Sequence, residues 1–171
     1  MLHPVLAMDT ALIHFDLRSP PEKGISNQAI QRFWNTSALI HPTMHMRLVA
    51  KDFPWVFELD FRARAARGAP HYVTCGDVWH ALHTGLSRAL TDSEWSLLVT
   101  HDQFVRRKVI ERIVASRRVE EGQYARRIDW LGLNVVFRGL TKDESYARNV
   151  LLPGREPCPD TFVVQLSAPA S

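Results

Sequence analysis

The chain has 171 residues, of which 46% are hydrophobic and 23% charged, with a formal net charge of +3. That balance fits one ordinary soluble domain with a real core, and no apolar run is long enough to span a bilayer. Two cysteines, Cys75 and Cys158, form no CxxC pair and exclude a disulfide framework, so reduced thiols are expected.

The N-terminus, Met1 to Leu17, lacks a basic leading segment, and acids interrupt its apolar stretch. It does not read as a secretory signal, so the expected compartment is cytoplasm or nucleus. The Asn35-Thr36-Ser37 sequon then carries no weight. Residues 4–8 and 12–17 read as two short strands. In the second, Ile13, Phe15 and Leu17 point one way and His14 and Asp16 the other. Residues 18–43 read as an extended loop with a short helix near Asn27–Trp34, and a loop of that length is functional or mobile.

The clearest signal spans residues 45–61. Met46, Leu48 and Ala50 alternate with His45, Arg47 and Val49; after a break at Lys51-Asp52-Phe53-Pro54, Trp55, Phe57, Leu59 and Phe61 alternate with Val56, Glu58 and Asp60. A hairpin is predicted. A basic loop, residues 62–70, and a short strand at 72–75 follow. Residues 77–116 read as helical. Val78, Leu82, Leu86 and Ala89 form the apolar face of the first helix, widened by Trp79 and Leu90. Thr91 and Glu94 make a capping box for a second, and a further box at Thr100 predicts a break there. The third helix is expected to bury Val105, Val109, Ile113 and Phe104. Residues 127–140 read as a hairpin turning at Leu131-Gly132-Leu133-Asn134, and residues 161–166 as a closing strand.

The whole predicts a single domain: strands within 4–61 and at 72–75, helices over 77–116, and C-terminal strands over 127–166. The class is α+β, a mainly antiparallel sheet or sandwich with a helical insertion of two to three helices packed on one face.

Several short segments add a resemblance. Leu2-His3-Pro4-Val5-Leu6, Phe15-Asp16-Leu17, Val73-Thr74 with Asp77-Val78, and Glu94-Trp95 occur in order, followed by Arg127-Ile128-Asp129-Trp130-Leu131 and Phe137-Arg138-Gly139-Leu140. With these the chain resembles a family of small proteins from mushroom-forming fungi (basidiomycetes), catalogued as a domain of unknown function. The resemblance implies a fungal intracellular protein of one domain and no particular activity or site residue.

Candidate chemistry is sparse. His80 and His83 stand three positions apart on a predicted helix, with Asp77 one step further back. They can share a metal or a proton, or decorate a helix whose other side packs. Cys75 is a candidate nucleophile or a buried structural thiol. His45, if it opens a strand, shares a face with Arg47. Between residues 101 and 127 eight cations stand against four carboxylates, a larger excess than that of the whole chain. Arg106, Arg107, Lys108 and Arg112 of the third helix can neutralise an anionic partner, nucleic acid or acidic protein, or form a solvated face. Trp34 is the tryptophan free to stack from a loop. The expected function is a non-enzymatic binding or interaction domain using the basic helix and the 18–43 loop, with no cofactor. The alternative is a small enzyme, cofactor-free or metal-assisted, with a His/Asp/Cys pocket between sheet and helices. A small-molecule carrier is a third possibility.

Overall fold

The computed structural model describes residues 1–10, 13–65, 72–96, 101–117, 124–149 and 156–170, without the side chains of 64–65 and 101–103. The predicted break near Thr100, the basic stretch 66–70, His71, and Arg118 with Glu120 and Glu121 lie outside the described residues.

The strongest alternation in the sequence forms one side of the sheet, with its second strand at the edge. Strand β2, His45–Ala50, and strand β3, Phe57–Asp60, form the predicted hairpin, with Arg47 opposite Glu58 and His45 opposite Asp60. Met46, Leu48, Phe57 and Leu59 turn to the main core. Two other strands, β1 (Phe15–Asp16) and β4 (Val136–Thr141), pair antiparallel, and β5 (Thr161–Ser167) lies between β4 and β2. The order is β1-β4-β5-β2-β3.

The sheet is mixed rather than mainly antiparallel, because β5 runs parallel to β2. The closing strand is apolar on both faces: Phe162 and Val164 join the main core, and Val163 is buried as well. Such a strand belongs inside a sheet with both edges paired, not at the end of a meander.

Three predicted strands take other forms. Residues 4–8 are turns that touch the sheet through one isolated bridge, Ala7 to Leu140, and Leu2 before them bridges Leu39. At 72–75 only an isolated bridge from Thr74 to Ser37 forms, and Cys75 begins a helix that Thr74 caps. Residues 127–131 wind as a 3-10 turn, because Asp129 accepts the Arg126 N–H at 2.7 Å and closes it. The Leu6–Met8 segment crosses β4 at Gly139, where Leu140 N–H donates to Leu6 O at 2.7 Å. Gly139 has φ +127, and a Cβ there would sit 2.6 Å from Met8 Cα, so the crossing requires glycine.

Helices cover the sheet. In the 18–43 stretch lie α1 (Pro21–Gly24) and α2 (Asn27–Phe33), the latter capped by Ser26. A short α3 (Arg62–Ala65) follows β3. The main helix, α4, spans Cys75–Ser87 and opens on a capping box of Thr74 and Asp77. Val78, Trp79, Leu82 and Leu86 are fully buried, and Gly85 lets Phe57 approach, since a Cβ there would lie 2.5 Å from its ring. Beyond it come α5 (Asp92–Ser96), α6 (His101–Ser116) and, after β4, α7 (Glu144–Asn149). Among the described residues no helix is long and apolar enough to cross a membrane.

Candidate functional site

Helix α6 decides where the arginines go. Its buried stripe is not the predicted Phe104–Val105–Val109 face. Ile110 is fully buried, with Val114 partly so, whereas Phe104 is 52% and Val105 70% exposed, and Val109 also reaches solvent. The reason lies in the 127–131 turn. Arg106 donates to Trp130 O at 2.6 Å and lies over the Trp130 ring, and Arg117 pairs with buried Asp129. Two arginines, one at each end of the stripe, pull the helix round. The carbonyl and carboxylate that receive them remove the cost of burying their charge.

Other cations are engaged as well. Arg107 pairs with Glu111 at 3.0 Å and lies 5.3 Å over Trp95. Arg127 pairs with Glu94 at 2.6 Å and lies over Trp55. Glu94 closes the predicted capping box with Thr91 and also accepts from Trp55 Nε1. Burial pushes the Glu94 carboxyl up, but hydrogen bonds from Thr91 and Arg127 more than offset this and hold it below the usual range.

What α6 leaves outward is mixed. Lys108 and Arg112 extend into solvent beside Val105 and Val109, and the Lys108 ammonium lies 4.6 Å over the Phe104 ring. The turn after Leu131 continues the apolar surface. A Cβ at Gly132 would lie 3.9 Å from Val109, and the next residue, Leu133, is 76% exposed.

Beside this face, α5 and α6 enclose the larger of two described cavities, about 630 Å³, lined by Ala89, Leu90, Asp92, Trp95, Glu111, Val114, Ala115, Tyr124 and Ala125. That volume suits a small ligand. Among the described lining residues three alanines make the space, two aromatic rings supply apolar walls, and the two charged groups are both carboxylates.

The histidine pair on α4 divides. His83 Nδ1 lies 3.0 Å from Leu17 O, tying the helix to the end of β1, while His80 Nε2 meets Thr84 on its own helix. Asp77 is spent on the capping box. Cys75 is buried, and burial pushes its thiol up to about 12, far from the thiolate a nucleophile needs. Among the described residues no group of three or more His, Cys, Asp or Glu side chains gathers as a metal would require. Trp34 is half-buried, 6.3 Å from the Trp79 ring and pressed on Gly76, where a Cβ would lie 2.6 Å away.

A second charged cluster was not picked out as a unit from the sequence. His45 Nε2 lies 2.9 Å from Glu58 Oε2, Arg47 Nε donates to Glu58 Oε1 at 2.6 Å, and Arg47 Nη2 donates to Glu156 O. With Asp60 and Arg62 these line a recess of about 300 Å³. The hairpin register carried the signal, because it sets Arg47 opposite Glu58. The cleft residues carried none: Asp92, Glu111 and Tyr124 are far apart in sequence.

The fold and these sites define a one-sheet α+β protein with helices α5 and α6 forming a lateral wall. The chain belongs to DUF6699, a family of unknown function whose model matches residues 13–149. No curated protein and no solved structure matches it.

Proposed function

We propose that the protein is a non-enzymatic interaction domain that docks an acidic protein segment on the outer face of α6. The supporting observation is the outward placement of Phe104, Val105 and Val109 beside Lys108 and Arg112. A helix that turns valines and a phenylalanine to water, with cations between them, suits a partner carrying both apolar anchors and carboxylates. Nucleic acid is the weaker match, since phosphate contacts use cations and polar donors and leave valines unpaired. Arg106 and Arg107 hold the helix in place, so Lys108 and Arg112 are the cations that meet the partner. The enzyme reading has less support, because His80, His83, Asp77 and Cys75 are each engaged separately in the scaffold or buried. The fungal resemblance favours action in the cytoplasm or nucleus.

The test uses a fluorescein-labelled peptide of about 20 residues, mostly glutamate with leucine at every third or fourth position. Fluorescence anisotropy is expected to show binding that both Val105→Ser/Val109→Ser and Lys108→Glu/Arg112→Glu abolish. Binding unchanged by either pair overturns the proposal. Tighter binding of a single-stranded RNA, insensitive to the valine pair, assigns the face to nucleic acid instead.

A further inference from the structure

The α5–α6 cleft is a separate feature from the outer face, since Glu111, Val114 and Ala115 form a neighbouring stripe of α6. We infer that it binds an organic cation, an ammonium group carried on a flat apolar body. The charge of the lining is the first reason: in a chain with net charge +3, both charged groups among the described lining residues are acids, Asp92 and Glu111, the second already paired with Arg107. Asp92 is exposed and has no hydrogen-bond or ion-pair partner among the described residues. The walls are the second reason. Trp95 and Tyr124 supply aromatic walls, and Ala115 and Ala125 leave room for a flat ligand.

The protein itself displays the chemistry at the cleft edge. The Arg107 guanidinium lies 5.3 Å over the Trp95 ring while paired with Glu111, and Arg126 lies 5.1 Å over Tyr124. Ring quadrupole and carboxylate together attract a cation more strongly than either does in water, and a partly enclosed cleft strengthens both terms. An anionic or neutral ligand of the same shape gains only the apolar contact. Nothing in this inference depends on the α6 outer face.

Isothermal titration calorimetry of the full chain with tryptamine tests it, with tryptophol and indole-3-acetate as neutral and anionic counterparts. Saturable tryptamine binding is expected, with tryptophol weaker by about tenfold and indole-3-acetate weaker still. Asp92→Asn with Glu111→Gln is expected to erase the preference for the amine, and Ala115→Trp to block all three by filling the cleft. Equal binding of amine and alcohol, no saturable tryptamine binding up to about 10 mM, or binding untouched by Ala115→Trp overturns the inference. The peptide assay on the outer face remains a separate measurement, so failure of one reading is distinguishable from failure of the other.

Discussion

The two longest helices have opposite relations to the fold. Helix α4 buries seven of its 13 residues and opens on a complete capping box. Helix α6 is longer, yet Ile110 alone is buried among its described positions, and valines at 105 and 109 face solvent. Apart from exposed His80, the candidate groups near α4 are spent on architecture: Asp77 on the cap, His83 on Leu17 O, Cys75 in the core. On α6 the arginines that turn inward hold the helix, and Val105, Val109 and Arg112 remain outside. The difference teaches where function is to be sought. A buried helix with a clean period leaves little to recognise, whereas a helix anchored by two arginines can show apolar surface that its own core does not use.

The strongest attack on this contrast is at the centre of α4. Trp79→Ala empties a fully buried position, and urea unfolding is expected to show a loss of about 3–5 kcal/mol. A smaller loss would place α4 closer to α6 in its relation to the core. Next comes the anchor of α6. Asp129→Ala leaves Arg117 without its buried partner and frees the Arg126 N–H. The expected cost is about 3 kcal/mol, the low end for a broken buried pair, because Arg117 at 13% exposure can still reach water. A cost near zero would mean that the arginines do not hold the helix.

Glu94, on α5 between the two helices in sequence, holds Trp55 and Arg127 and makes stability pH-dependent. Its carboxyl titrates below the usual range in the folded chain, so the folded state binds the proton less readily than the unfolded one. The stability it contributes is complete above the unfolded carboxyl range and disappears as pH falls through the folded value. Glu94→Gln is therefore expected to lower stability at neutral pH by about 1–2 kcal/mol and to make the acid limb of the stability curve shallower. A parallel shift at all pH values would assign the effect to lost packing. Thr74→Ala, which removes the α4 cap, is expected to cost about 1 kcal/mol in the same measurement.

These contrasts also explain what was legible in the chain. The β2–β3 hairpin, α4 and the Thr91–Glu94 box could be read locally, because each rests on period or spacing within a few residues. The parallel pairing of β5 with β2 could not, since it joins positions more than a hundred residues apart. Asp129 looked like a strand residue until Arg126 N–H was found to close a turn on it. On α6, apolar residues at 104, 105, 109, 110, 113 and 114 surround the helix, so period alone could not choose a face. The choice came from Arg106 and Arg117 meeting Trp130 O and Asp129 across the fold. Two further segments supply scaffold groups. Phe137-Arg138-Gly139-Leu140 supplies the crossing glycine and Glu94-Trp95 the hub carboxylate, and neither builds the outer face of α6.

The smallest expected effect separates the helices most directly. Val105→Ser removes an apolar side chain that is 70% exposed, so little buried area is lost and unfolding is expected to shift by no more than about 0.5 kcal/mol. The same substitution is expected to weaken the acidic peptide in the anisotropy assay, because the valine is an anchor only when a partner covers it. Stability loss comparable to that of Trp79→Ala would show that Val105 packs within the chain, and α6 would then be a second structural helix. Unchanged stability with weakened peptide binding would separate the two roles at a single residue, since a core position cannot lose a methyl pair without cost to folding.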